Sequence, residues 1–252
     1  MLEHEIKKAA ELIRQSSYTV AFTGAGISVE SGIPPFRGEG GLWNSYDPSI
    51  LDLDTYLRNP ERSWPVIRSL FYDFFGTAQP NDAHYILAEM ERLGLVKDII
   101  TQNIDNLHQK AGSKKVYEFH GRLNYFVCPK CHTYYKLEEI ELNAKPPQCL
   151  SNTCRAVLKP DFIFFGEGIP EQAYINSMRA ARNADVLILI GTSGEIMPAS
   201  SIPIMAKQKG CKIIEINPNK TNYTSRITDT LIQAKASEGL SLLFKEIKVM
   251  QE

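Results

Sequence analysis

The sequence predicts an α/β fold, a doubly wound parallel sheet with a smaller lobe built from two inserts, and three observations lead there. Short apolar runs recur at 18–23, 96–101, 116–120, 161–165, 185–190 and 212–217. They lack the alternation of half-exposed strands, as expected of strands covered on both faces. Stretches of helical character at 83–94, 170–183 and 198–210 separate several of these runs, which is the pattern of βαβ units. Two segments, 34–82 and 121–158, break the alternation and read as inserts that together lie over the strand ends.

In chain order, Leu2, Ile6, Ala9 or Ala10, and Ile13 recur at helical spacing, so 3–16 reads as an amphipathic helix. The β-branched and aromatic run 18–23 stops at Gly24. The first insert opens with prolines and glycines and continues as aromatic-rich helical segments. The second carries four of the five cysteines, with Pro146 and Pro147 between the pairs. The expected sheet-bearing unit is therefore 1–33, 83–120 and 159–252, and the small lobe is 34–82 plus 121–158. Ligands of such sheets bind at the carboxyl ends of the strands.

A chain of 252 residues suits one large domain with an inserted lobe. Hydrophobic content of 43% and charged content of 23% are those of a globular protein. A net charge of -1 argues against a nucleic-acid partner. The apolar runs are too short to cross a bilayer, and the charged N-terminus lacks the apolar core of a signal peptide. With five cysteines and no export signal, a reducing compartment, the cytoplasm, is expected.

Thr23–Ser28 (TGAGIS) follows a strand. Gly24 and Gly26 permit a tight turn and close approach of backbone N–H groups to a pyrophosphate. Val29 stands where the dinucleotide fingerprint has its third glycine, so a plain strand–turn–helix corner also explains the segment. Cys128 and Cys131, then Cys149 and Cys154, form two close pairs able to close a tetrahedral zinc sphere. A closed sphere leaves no place for water, so such a zinc is structural; disulfides are disfavoured by compartment. Cys211 begins a predicted strand and reads as a small buried hydrophobe. In TQNID (101–105), Gln102, Asn103 and Asp105 at a strand end suit a ribose or an amide, or simply cap a helix. His120 ends a strand before Gly121, where an imidazole can serve as a general base or pack structurally. His4, His84, His108 and His132 carry the plain structural reading.

The ordered combination decides. GAGIS (24–28), SGIPPFRG (31–38), TQNID (101–105), the His120–Gly121 pair, the four cysteines, FFGE (164–167), GTS (191–193) and the asparagine of EINPN (215–219) occur in the order and spacing of the sirtuin family, and the chain resembles that family over nearly its whole length. The resemblance implies a Rossmann-like sheet, a zinc-ribbon insert beside a helical insert, and an NAD-dependent protein-lysine deacylase. Its products would be nicotinamide, 2′-O-acyl-ADP-ribose and free lysine. Carried over, Gly24, Ala25, Gly26, Ile27 and Ser28 contact the pyrophosphate and ribose, and Phe36 and Arg37 lie on the loop that closes over NAD. Gln102 and Asn103 bind the nicotinamide-side ribose, while Ile104 and Asp105 receive the nicotinamide amide. Gly191, Thr192, Ser193 and Asn217 hold the adenosine half, and Ala236 meets the adenine through its backbone. His120 is the base, with Asn103 beside it as the second catalytic residue. The acyl-lysine peptide is expected as an added strand between Phe165, Gly166 and Glu167 on one side and Gly194, Glu195 and Ile196 on the other. No oligomer is required.

Two departures from the family pattern stand out. Pro35 replaces the aspartate of GIPDFR, and GTS continues as GEIM where many members have two apolar residues and an aromatic. Relatives that prefer succinyl- or malonyl-lysine carry a tyrosine and an arginine three residues apart in the helical insert; aligned on Trp64, those positions are Ile67 and Leu70. Acetyl or longer aliphatic acyl groups are expected, and succinyl is not. The competing readings are ADP-ribosyl transfer to protein, an NAD(P)-dependent oxidoreductase and a non-catalytic zinc module.

Overall fold

The computed structural model describes residues 2–36 and 40–250. Helix α1 (Leu2–Gln15) buries the predicted stripe Ile6, Ala9, Ala10 and Ile13 and leads into β1 (Thr19–Thr23). A 3₁₀ segment, Ala25–Ser31, follows the glycine turn. The helical insert carries α2 (Leu53–Arg58) and α3 (Pro60–Ile67), the latter continuing as a π-helical stretch, Arg68–Phe74. Then come α4 (Asp82–Arg92), β2 (Asp98–Thr101), the short α5 (Leu107–Lys110) and β3 (Val116–Glu118). The strands β4 (Gly121–Val127), β5 (Tyr134–Lys136) and β6 (Lys159–Phe162) precede α6 (Glu171–Asn183). The chain closes with β7 (Val186–Ile190), α7 (Ser201–Gln208), β8 (Lys212–Ile216), β9 (Thr230–Ile232) and α8 (Ala236–Val249).

Six strands form one parallel sheet in the order β3-β2-β1-β7-β8-β9. The chain grows outward from β1 in one direction, then returns to add β7 on the other side of β1. The crevice for a ligand is therefore expected beyond the ends of β1 and β7. All five residues of β7 are buried, and they alternate between two cores. Val186, Ile188 and Ile190 face α1, α4 and α8, whereas Leu187 and Leu189 face the side covered by α6 and α7. This double coverage is why the strand runs lack alternation.

The two inserts share one core, which also takes in Phe162 and Phe164 from beyond them. Trp64, Ile67 and Phe71 of the helical insert pack with Phe126, Phe162 and Phe164. The Trp64 indole N–H donates to the Asn143 carbonyl (2.9 Å), and the Tyr56 hydroxyl donates to the Leu158 carbonyl (2.8 Å).

One strand assignment needs correction. The 161–165 run was expected in the parallel sheet, but β6 pairs antiparallel with β4 in a separate three-stranded sheet, β5-β4-β6. Phe162 and Phe164 stack on each other at 4.9 Å, and Phe71 lies 5.0 Å from Phe162, so burial in the small-lobe core explains the apolar run. An apolar run reports burial, not which sheet receives it. Strands β4, β5 and β9 were not anticipated; β9 is only three residues long. Among the described residues, no helix is long and apolar enough to cross a membrane.

Candidate active site at the strand ends

The turn after β1 and the turn after β7 meet in direct backbone contact. The Gly24 N–H donates to the Ile190 carbonyl (3.0 Å), and the Gly26 N–H donates to the Gly191 carbonyl (2.8 Å). A Cβ on Gly26 would lie 2.6 Å from Gly191 Cα, and one on Gly191, whose φ is +60°, would lie 2.5 Å from Gly26 C and Ile27 N. The absence of side chains here is thus already required by the protein's own packing, before any pyrophosphate is considered. That is a reason the sequence did not reveal.

From this junction a polar network reaches β2. Ser28, fully buried, donates to Asp105 Oδ2 at 2.7 Å. The Asn103 amide donates to the Gly24 carbonyl and to Ser28 Oγ, both at 3.1 Å. Asp105 Oδ1 accepts the Leu107 N–H (3.0 Å) across a turn, but the N-cap of α5 is Asn106, so neither Asn103 nor Asp105 is the cap that the alternative reading required. Burial pushes the Asp105 carboxyl above its ordinary range, against the bonds from Leu107 and Ser28. Across the crevice, Gln102 Nε2 donates to Thr192 Oγ1 (3.0 Å), and Asn217 Nδ2 reaches the Thr192 carbonyl at 3.4 Å. Thr192 is buried and Ser193 exposed. Ala236 opens α8, whose start is tied to the 3₁₀ segment by the Ser237 N–H on Glu30 (2.9 Å).

His120 stands where β3 turns into β4. Its Nδ1 lies 3.0 Å from the Gln102 carbonyl. A carbonyl only accepts, so Nδ1 carries the proton and Nε2 is left with its lone pair. Burial holds the imidazole below its ordinary value, with the Gln102 bond opposing, so the neutral form dominates near pH 7. Gly121 has φ +74°, and a Cβ there would sit 2.2 Å from the Asp161 carbonyl oxygen. Only glycine allows β4 to leave His120 in this direction.

The four cysteine sulfurs lie within 4.8 Å of one another and none forms a disulfide. Cys128–Cys154 and Cys131–Cys149 approach to 3.5 and 3.6 Å. Zinc–sulfur bonds of about 2.3 Å in a tetrahedron place sulfurs about 3.8 Å apart, so the cluster fits that ion. His132, at φ +57°, shapes the turn between Cys131 and β5 and keeps its structural reading.

Among the residues expected to flank the peptide, the Phe165 N–H donates to the Leu51 carbonyl (2.7 Å) and its carbonyl accepts from Leu53 (3.0 Å). Its main chain is thus bonded to the helical insert, while its side chain is partly exposed, with the ring centroid 6.2 Å from that of Trp43. Glu167 turns inward, accepting from the Phe164 N–H (2.9 Å) and pairing with buried Lys159 at 3.0 Å. Gly194, with φ +77°, and exposed Glu195 precede half-buried Ile196 and exposed Met197. Phe36 packs on Trp43 with ring centroids 5.5 Å apart, and Arg37 lies outside the described residues.

Several residues here were missed. Asn81 caps α4 and donates to the Ile27 carbonyl (2.8 Å), bracing the 3₁₀ segment; its place just before a helical run was the available signal. His84 and His108 were given a structural reading, and both are buried, with centroids 5.0 Å apart and His108 Nε2 2.9 Å from Thr23 Oγ1. Glu118, two residues before His120, has its carboxyl pushed up to about 7 by burial.

The profile of the Sir2 family matches residues 24–198. The chain belongs to the Sir2 family. NAD-dependent protein deacetylase 1 of Pyrobaculum aerophilum is 42% identical to this Sir2 chain over 248 residues, covering 98% of this chain and 96% of that protein. A solved Sir2 homolog–NAD complex has a TM-score of 0.88 at 40% identity, covering 97% of this chain and 94% of that one. A Sir2–p53 peptide–NAD+ complex has a TM-score of 0.85 at 32% identity, covering 95% and 97%. The Rossmann-like sheet and the separate small lobe are the architecture of this Sir2 fold.

Proposed function

We propose that the chain is an NAD-dependent protein-lysine deacylase that moves the acyl group onto ADP-ribose. The observation that carries this reading is the placing of His120 beside the end of β2, oriented through Nδ1 by the Gln102 carbonyl, which leaves Nε2 free to act as a base. The NAD and peptide complexes of the relatives give the chemistry its substrates.

NAD enters the crevice with its pyrophosphate on Gly24–Ser28, its adenosine half on Gly191, Thr192, Ser193, Asn217 and the Ala236 backbone, and its nicotinamide ribose on Gln102 and Asn103. Ile104 and Asp105 receive the nicotinamide amide, and Phe36 with Arg37 closes over the cofactor. The acyl-lysine peptide adds as a strand along Gly166–Glu167 and Gly194–Ile196; since the Phe165 main chain is bonded elsewhere, Phe165 contributes its ring. Two protein surfaces thereby hold the weakly nucleophilic amide oxygen against the ribose carbon and exclude water. The glycosidic bond breaks, nicotinamide leaves, and the amide oxygen takes its place. His120 Nε2 removes a ribose hydroxyl proton, and the 2′-oxygen attacks the imidate carbon. Addition of water and departure of the lysine amine leave 2′-O-acyl-ADP-ribose.

The zinc site has a closed, four-thiolate donor set and a structural role in holding the small lobe. In this division of labour, the sheet-bearing unit binds NAD and the two inserts form the lobe that covers it, with the 159–165 run packed among them. Cysteines held as metal thiolates and not as disulfides suit a reducing compartment such as the cytoplasm.

Product analysis with NAD and a panel of acylated peptides tests the reading. Nicotinamide and acyl-ADP-ribose without NADH absorbance are expected. Label from NAD retained on protein would point to ADP-ribosyl transfer, and NADH formation to an oxidoreductase.

A further inference from the structure

Glu215, on β8, is only 1% exposed, yet among the described residues no cationic group pairs with it. Three threonine hydroxyls solvate it instead. Thr221 donates to Oε1 at 2.6 Å, Thr228 donates to Oε2 at 2.7 Å, and Thr224 lies within 3.0 Å of both oxygens. A buried carboxylate is tolerated only when its oxygens are hydrogen-bonded, so all three hydroxyls are held in place by one side chain. Since they sit on a single loop, Glu215 anchors 221–228 to β8 at three points, beside the turn bonds that the loop makes within itself.

That loop touches both halves of the site. The Asn222 N–H donates to the Ser193 carbonyl at 3.1 Å, and its side-chain amide reaches the Gly194 carbonyl at 3.5 Å. Tyr223, buried, donates its hydroxyl to the Ser200 carbonyl (3.2 Å). Its ring lies against Gly194 so closely that a Cβ there would be 2.8 Å away. Ser193 belongs to the adenosine side and Gly194 to the peptide side, and the loop holds the two adjoining residues from behind.

We propose that Glu215 is a positioning residue that, through Thr221, Thr224 and Thr228, tunes affinity for the adenosine half of NAD and for the acyl-lysine peptide together. The proposal rests on the roles given above to Ser193 and the Gly194–Ile196 segment. It predicts a change in binding rather than in chemistry, because neither Glu215 nor the threonines touch His120 in the network described.

Glu215→Gln keeps the shape but replaces one acceptor oxygen by a donor, so at least one threonine hydroxyl must turn away. Thr224→Val and Thr228→Val each remove one hydroxyl at nearly constant volume. Calorimetry with ADP-ribose needs no turnover and reads the adenosine side directly. Glu215→Gln is expected to raise its Kd about tenfold, equivalent to about 1.4 kcal/mol. In steady-state assays the KM for an acetyl peptide should rise with it, while kcat stays within about threefold. The valine variants should move in the same direction by less. An unchanged Kd beside a lowered Tm would overturn the proposal, and so would a fall in kcat with Kd and KM unchanged. Should Glu215→Gln fail to fold, the two valine variants decide: unchanged Kd in both overturns it. A wild type that binds ADP-ribose but removes no acyl group would refute the deacylase reading while leaving the Kd comparison decisive for Glu215. A wild type that does not bind ADP-ribose overturns both.

Discussion

Acid should unfold this protein through a histidine that takes no part in the chemistry. His84 is fully buried on α4, and burial pushes its imidazole down to about 4 from an ordinary value of 6.5. The unfolded chain accepts a proton near pH 6.5, and the folded one refuses it until about pH 4. The native state therefore keeps its full margin above pH 6.5 and loses it as pH falls through this window. A gap of about 2.5 units at 1.36 kcal/mol each gives about 3 kcal/mol in all, of which about 2 kcal/mol is gone by pH 5. His108, packed against it, is depressed in the same direction by burial and by His84, and steepens the slope. Urea unfolding followed by circular dichroism at pH 7.5, 6 and 5 measures the effect. Zinc release also contributes at low pH, so the informative quantity is wild type minus His84→Gln, in which the metal contribution cancels. The difference should shrink by roughly 2 kcal/mol in favour of the variant between pH 7.5 and 5. A difference that stays flat within about 0.5 kcal/mol would refute the linkage.

Three further outcomes are expected. His120→Ala should cost on the order of 10² to 10⁴ in kcat while ADP-ribose affinity and Tm are kept, and the acid limb of the wild-type rate profile should lie below pH 6.5; a folded variant of near-full activity would remove His120 from the mechanism. One zinc per chain should be found by metal analysis, and Cys149→Ala should lose it and lower Tm; full metal content in the variant would contradict the four-thiolate site. Acetyl peptides should exceed succinyl peptides by 10² or more in kcat/KM, an order-of-magnitude expectation. Ile67 and Leu70 are both buried and apolar, and the nearest arginine, Arg68, pairs with Asp73 at 3.6 Å; equal rates on the two peptides would refute this reading.

The strand-end motifs were legible because each is local: a glycine turn, a polar run or a cysteine pair carries its chemistry within a few residues. The double coverage of β7 was legible for the same reason, as five consecutive apolar side chains. What escaped was set by distance along the chain. The antiparallel pairing of β6 with β4 depends on Phe71 and Phe126, which no local window includes. The need for Gly26 comes from Gly191, and the burial of His84 from His108. Glu215 gave no signal either, since its partners are hydroxyls, which composition treats as ordinary loop residues.

The chain has two tryptophans, Trp43 and Trp64, and both lie in the first insert. Trp64 is fully buried, bonded to Asn143 of the cysteine-bearing insert and 6.2 Å from the Phe126 ring. Trp43 stacks near Phe36 and lies 6.2 Å from the Phe165 ring. Excited near 295 nm, the molecule therefore emits from its small lobe alone, and the six-stranded sheet is optically silent. One indole shares the small-lobe core with the cysteine cluster, and the other lies beside Phe36 and Phe165, the residues proposed to face the cofactor and the peptide. Unlabelled protein thus carries a built-in pair of lamps: metal loss should redden the emission of Trp64, and ligand arrival should alter that of Trp43, each seen over the steady emission of the other.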